Sequence, residues 1–116
     1  MKVILVDDEL LALKKLEKLL SEFDELEVIG SYQNVQHALR EIEQLRPDVV
    51  FLDINMPEIN GLQMARVIRE RAPLTSIVFA TAYNSYLQEA SELDALDYIM
   101  KPIQKERLVN TLQRLR

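Results

Sequence analysis

The chain has 116 residues, 48% hydrophobic and 28% charged, which suits one globular domain and excludes a disordered chain. Its formal charge is −5, with 14 basic and 19 acidic side chains and no basic block, so direct nucleic-acid binding by this domain is not expected. There is no cysteine, which excludes a disulfide framework, a thiolate zinc site and a cysteine nucleophile.

The β-branched run KVILVDD (2–8) predicts a first strand that ends in two acids. Over 9–23, Leu13, Leu16, Leu19, Leu20 and Phe23 recur at spacings of three and four, as one helical stripe would. EVIGSY (27–32) predicts a second strand. In 34–45, Val35, Ala38, Leu39, Ile42 and Leu45 share a helical face, and Asn34 suits the N-cap. Pro47 closes that helix, and DVVFLDI (48–54) predicts a third strand whose apolar run, Val49 to Leu52, is suited to burial on both faces. Gly61 precedes a helix carrying Leu62, Ala65, Val67 and Ile68, closed by Pro73. TSIVFATA (75–82) predicts a fourth strand, followed by a shorter helix at about 84–93. ALDYIM (95–100) predicts a fifth strand, and the last helix, about 104–116, carries Leu108, Leu112 and Leu115.

Strand and helix alternate five times with no linker or repeat, which predicts a single α/β domain over 1–116. Such a (βα)5 chain forms a parallel sheet with helices on both faces and binds ligands at the carboxyl ends of its strands. The longest uncharged stretch, Ala72 to Gln88, is broken by Pro73, Thr75, Ser76, Asn84 and Ser85, so no membrane span is expected. The apolar start reaches Asp7 and Asp8 too soon for a signal peptide, and a cytoplasmic location is expected. The only glycines, Gly30 and Gly61, cannot form a glycine-rich phosphate loop. The only histidine, His37, lies in a polar helical stretch and reads as a solvated side chain.

The polar residues at the strand ends carry the chemistry. Asp7 and Asp8 end the first strand, Asp53 the third and Thr81 the fourth, and Lys101 follows the fifth. All five converge on one edge of the predicted sheet. Three packed carboxylates repel one another, and a hard divalent cation such as Mg2+ relieves that repulsion with one or two carboxylates, a carbonyl and waters. Lys101, Thr81 and a backbone N–H of the following loop suit a phosphoryl group, whose transfer depends on positioning and charge stabilisation. Asp53 is the natural nucleophile. Singly, each residue has a plainer role: Asp7 and Asp8 suit a helix N-terminus, Asp53 a turn cap, Thr81 a strand and Lys101-Pro102 a loop. Their joint position is what points to chemistry.

VDDE (6–9), LDINMPEINGL (52–62), TA (81–82) and DYIMKPI (97–103) together resemble the receiver domain of two-component response regulators, over the whole chain. The resemblance implies the flavodoxin/CheY-like strand order 2-1-3-4-5. It implies that Asp53 accepts a phosphoryl group from a sensor histidine kinase, and that the domain promotes only its own phosphorylation and dephosphorylation and is otherwise no enzyme. Asp8 and Asp53 would ligate Mg2+ with carboxylates and Asn55 with its carbonyl, with Asp7 helping partly through water. Lys101, Thr81 and the Ala82 N–H would meet the phosphoryl oxygens, Tyr98 would be the aromatic that turns inward when Thr81 moves, and Pro102 the cis-proline. The family uses the surface of its fourth helix, fifth strand and fifth helix to dimerise on phosphorylation. On that surface Leu87, Leu93 and Val109 are either partner-facing or core.

TAY (81–83) with ALDYIMKPI (95–103) looks like receivers of the LytTR class, which are joined to a DNA-binding output domain, although Ser91 departs from the aromatic common after Ala90. No output domain is expected within these residues, so DNA would be reached only through one lying outside them. Two rival readings remain. A haloacid-dehalogenase-type phosphatase needs an acid two residues beyond its nucleophile, where this chain has Asn55, and a carboxamide cannot exchange the proton. The other is a stand-alone or phosphorylation-independent interaction module of the same fold; a phosphorylation-independent one would lack one of the acid pair, the nucleophile or the lysine, and all are present.

Overall fold

Val49–Leu52 is buried along its whole length at the centre of a five-stranded parallel sheet. A computed structural model describes residues 1–116. Its elements in chain order are β1 (Lys2–Val6), α1 (Leu10–Leu20), β2 (Glu27–Tyr32), α2 (Val35–Leu45) and β3 (Val49–Leu52), then α3 (Gly61–Arg71), β4 (Ser76–Thr81), α4 (Leu87–Glu92), β5 (Asp97–Met100) and α5 (Lys105–Leu115). The strand order is β2-β1-β3-β4-β5, all pairs parallel.

Successive strand residues face opposite sides of a sheet, and the two cores divide accordingly. Ile4, Val6, Val50, Leu52, Ile77 and Phe79 pack with α2, α3 and Ala90 of α4. Val3, Leu5, Val49, Phe51, Val78 and Ile99 pack with the leucines of α1 and α5. Asn34 caps α2 by accepting the His37 N–H at 2.8 Å, as the sequence predicts. His37 is exposed, with its ring edge-on to Tyr32 and 3.5 Å from Glu41. No helix is long and apolar enough to cross a membrane.

Several elements are shorter than their sequence pattern. β1 and β3 stop at Val6 and Leu52, so Asp7, Asp8 and Asp53 lie in the loops just beyond, although Asp7 N–H still reaches Tyr32 O at 3.1 Å and Asp53 N–H reaches Val6 O at 3.0 Å. α4 begins at Leu87 instead of near 84, because Tyr83 gives its carbonyl to the Tyr98 hydroxyl, and Asn84 and Ser85 favour a turn. β5 begins at Asp97 because Ala95 is still closing α4: its N–H bonds Ala90 O at 3.2 Å, after Asp94 takes a left-handed φ of 56°.

Candidate functional site

Gly61, at the first position of α3, sets the loop that carries Asp53. A Cβ there would stand 2.0 Å from Asp53 O and 2.8 Å from Ile54 Cα, so only glycine lets the helix start come this close. Gly61 N–H bonds Ile54 O at 2.8 Å, and the Asn60–Gln63 capping box closes the helix end. The loop is therefore fixed at both ends of its turn, and Asp53 is held 6% exposed at the sheet edge.

Carboxylate oxygens of Asp7, Asp8 and Asp53 lie within 4.8 Å of one another. Asp7 Oδ1 accepts the Glu9 N–H at 2.9 Å, and Asp53 Oδ1 accepts the Ile54 N–H at 2.8 Å. The second oxygens face Lys101, whose Nζ is 2.7 Å from Asp7 Oδ2 and 3.5 Å from Asp53 Oδ2. Lys101 reaches this point from the end of β5, where its N–H bonds Thr81 O at 2.9 Å and its peptide to Pro102 is cis.

One ammonium, paired with Asp7 and Asp53, stands against a cluster of three carboxylates, and the proton affinities shift accordingly. Burial raises the Asp53 carboxyl above its ordinary value; Lys101 pulls it down and Asp7 pushes it up. Burial and then the Asp7 charge raise Asp8. Burial opposes the Lys101 charge, but Asp7 and Asp53 outweigh it and hold the ammonium above its ordinary value. The uncompensated negative charge, the clustered oxygens and an Asn55 carbonyl that accepts no hydrogen bond from the protein fit a hard divalent cation.

Thr81 is fully buried, and its Oγ1 accepts the Tyr83 N–H at 3.4 Å. No protein acceptor takes its hydroxyl proton. Ala82 follows it, exposed, at the rim. The Tyr98 ring is half-buried, tilted against Phe79 with centroids 6.2 Å apart and its hydroxyl donating to Tyr83 O. Of the surface residues, Leu87 and Val109 are exposed, at 53% and 40%, while Leu93 packs against the core.

A doubly wound (βα)5 sheet with an acid cluster, a threonine and a lysine at its carboxyl edge defines a receiver-type signalling domain. The response regulator receiver domain model matches residues 3–113, and the chain belongs to that family. It is 47% identical over 114 residues to the sensory transduction protein LytT of Bacillus cereus, covering 98% of this chain and 46% of LytT. It is 47% identical over 116 residues to the transcriptional regulatory protein BtsR of Salmonella typhimurium, covering 99% of this chain and 48% of BtsR. The crystal structure of the response regulatory domain of MrkE from Klebsiella pneumoniae superposes with a TM-score of 0.90 at 41% identity, over 99% of this chain and 94% of that one. The chain thus spans about half the length of the curated relatives it matches. These relatives are named as a sensory transduction protein and a transcriptional regulatory protein, and receiver domains act with histidine kinases and bind Mg2+ at an acidic pocket of this kind.

Two groups escape the sequence reading. Tyr83 and Tyr86 line the loop after β4, with the Tyr86 hydroxyl 3.5 Å from Asn55 Oδ1; part of that loop was expected to be helical. Asp97, 5% exposed, accepts hydrogen bonds from Arg107, Thr111, Arg114 and the Tyr98 N–H, and fastens β5 to α5. The spacing of Arg107, Thr111 and Arg114 by four and three, one face of a helix, is the signal that could have found it.

Proposed function

We propose that this domain is a phosphorylation-driven switch in which Asp53 accepts a phosphoryl group from a sensor histidine kinase. An Asp53 carboxylate oxygen attacks phosphorus, the bond from phosphorus to the donor imidazole nitrogen breaks, and an acyl phosphate remains on Asp53. The observation that carries this reading is the gathering of Asp7, Asp8 and Asp53 oxygens within 4.8 Å, facing Lys101.

Asp8 and Asp53 would hold Mg2+ with their carboxylates and Asn55 with its carbonyl, with Asp7 acting partly through water. The ion, when bound, neutralises charge on the transferring oxygens. Lys101 then turns from Asp7 toward the phosphoryl oxygens. The Thr81 hydroxyl, whose proton has no protein acceptor, donates to a second oxygen, and the Ala82 N–H to a third.

A phosphoryl group adds about −1.5 to −2 charge and three acceptors. Drawing Thr81 toward it favours the loop conformation in which Tyr83 holds the Tyr98 hydroxyl, and so shifts the population of a two-state element. An open groove of about 280 Å³ between α4 and α5 is lined by Leu87, Ala90, Leu96, Tyr98, Arg107 and Arg114. With Leu87 and Val109 exposed beside it, this face suits a second copy of the domain after phosphorylation. The output is the control of transcription through a DNA-binding domain of the LytTR type, and the site of action is the cytoplasm.

The test is intact-mass spectrometry after incubation with acetyl phosphate and Mg2+, comparing wild type with Asp53→Asn. One phosphoryl increment in wild type alone supports the reading. No increment in wild type, or an equal one in the variant, removes it.

A further inference from the structure

α4 is held differently at its two ends. It has six residues, buries only Ala90 and carries no side-chain cap at its start. Its far end meets the guanidinium of Arg69 on α3. Arg69 Nε donates to Leu93 O at 3.0 Å, one terminal nitrogen to Asp94 O at 2.7 Å and the other to Thr75 O at 3.0 Å. Leu93 is the C-cap of α4 and Asp94 carries the left-handed turn that ends it, whereas Thr75 belongs to the loop between α3 and β4. A planar cationic fork against the last carbonyls of a helix satisfies groups the helix leaves unpaired and opposes its dipole. Arg69 has no carboxylate within ion-pairing distance, so these three carbonyls are its hydrogen-bond partners.

The near end is tied instead to the phosphoryl site. Tyr83 N–H reaches Thr81 Oγ1, Tyr83 O takes the Tyr98 hydroxyl, and Tyr86, the N-cap of α4, lies against Asn55. A phosphoryl group on Asp53 would act on Thr81 and its neighbours and on the Gly61 end of α3, whereas the Arg69 hydrogen bonds join the opposite end of α3 to Thr75, Leu93 and Asp94. One end of α4 therefore moves with the site, and the other is fastened to the scaffold.

We infer that Arg69 is the pivot of the switch, a positioning residue about which α4 turns so that a shift at 83–87 becomes a rotation of the face carrying Leu87. This rests on the aspartyl-phosphate reading above. Without the pivot the same shift loosens α4 from its C-terminal end as well, and the Leu87 face is no longer presented in one orientation.

The experiment is hydrogen exchange by mass spectrometry with Mg2+, with and without beryllofluoride as a phosphoryl mimic, on wild type, Arg69→Ala and Arg69→Lys. Intact-mass measurement with acetyl phosphate runs alongside for each protein. In wild type, beryllofluoride changes exchange in 82–88 and leaves 92–96 as it was. In Arg69→Ala the response spreads through 92–96, where exchange becomes on the order of tenfold faster, while the phosphoryl increment persists. Arg69→Lys, which keeps the charge but loses the fork, shows the same spread to a smaller extent and serves if the alanine variant does not fold. A wild-type response as large in 92–96 as in 82–88, or a variant with the wild-type pattern, overturns the pivot alone. No phosphoryl increment in wild type overturns the aspartyl-phosphate reading and the pivot with it.

Discussion

Lys101 Nζ sits 2.7 Å from Asp7 Oδ2, closer than its 3.5 Å to Asp53 Oδ2, so the lysine's firmest partner in this structure is Asp7 and not the proposed nucleophile. A phosphoryl group on Asp53 would have to win Lys101 away from Asp7. Replacing Lys101 by Ala leaves Asp7 and Asp53 facing each other with no counter-charge, both of them buried. The expected loss is about 1–3 kcal/mol in urea unfolding without metal, partly restored by Mg2+.

Mg2+ is expected to stabilise the wild-type domain by about 2.7 kcal/mol at a hundredfold excess over its dissociation constant, and so to raise its melting temperature. Asp8→Asn behaves in two opposite ways. Burial and the Asp7 charge disfavour the ionised Asp8 carboxyl in the folded domain, so without metal the substitution raises stability slightly. With metal, the gain seen in wild type is largely lost. Thermal melts of both proteins with EDTA and with Mg2+ check both signs, and a wild type that ignores Mg2+ counts against the metal site.

Gly61→Ala directs a methyl group at the backbone of the Asp53 loop, 2.0 Å from Asp53 O. Backbone cannot swing aside as a flexible side chain does. The domain should lose about 1–3 kcal/mol, and the displaced Asp53 should accept phosphoryl from acetyl phosphate more slowly. Chemical denaturation and the phosphorylation time course measure the two effects separately.

Asp97 gives the domain an acid limit away from the phosphoryl site. Burial opposes its charge, but Arg107, Thr111 and the Tyr98 N–H outweigh it and hold the carboxyl below the ordinary carboxylate value. A depressed value in the fold means that its contribution is complete above the unfolded value, roughly pH 3.9. It is lost as pH falls through the folded one. Asp97→Asn should therefore cost about 1–3 kcal/mol near neutral pH and flatten the acid limb of stability against pH. Urea unfolding across pH 2–7 (roughly the span of carboxylate titration) reads both.

The sheet was legible because its strands are short apolar runs closed by acids, prolines or polar turns, and because period-2 and period-3.6 patterns alternate without interruption. The gathering of Asp7, Asp8, Asp53, Thr81 and Lys101 was legible for a related reason: parallel strands send all their carboxyl ends to one edge, so these residues could be brought together without knowing any side-chain conformation. What escaped depends on contacts between distant segments. The fourth helix starts at Leu87 and not near 84 because Tyr98, fifteen residues from Tyr83, holds the Tyr83 carbonyl at the loop before it. Nothing in the sequence pattern singles out Arg69 on α3, because its three partners come from two loops, one of them distant in sequence. The helical stripe of α1 reaches Phe23, but the helix stops at Leu20, where Ser21 and Glu22 bond back to Glu17 O and Leu19 O and the chain turns toward β2.

The most direct measurement is to locate the phosphoryl group. Treating the acetyl-phosphate product with sodium borohydride reduces an aspartyl phosphate to homoserine, and peptide sequencing by mass spectrometry then names the residue. Homoserine at position 53, dependent on Mg2+ and absent without acetyl phosphate, is the predicted result. Homoserine at position 7 or 8 with Asp53 intact would contradict the assignment of the nucleophile. A phosphorylated product yielding no homoserine at any aspartate would contradict the aspartyl-phosphate switch itself.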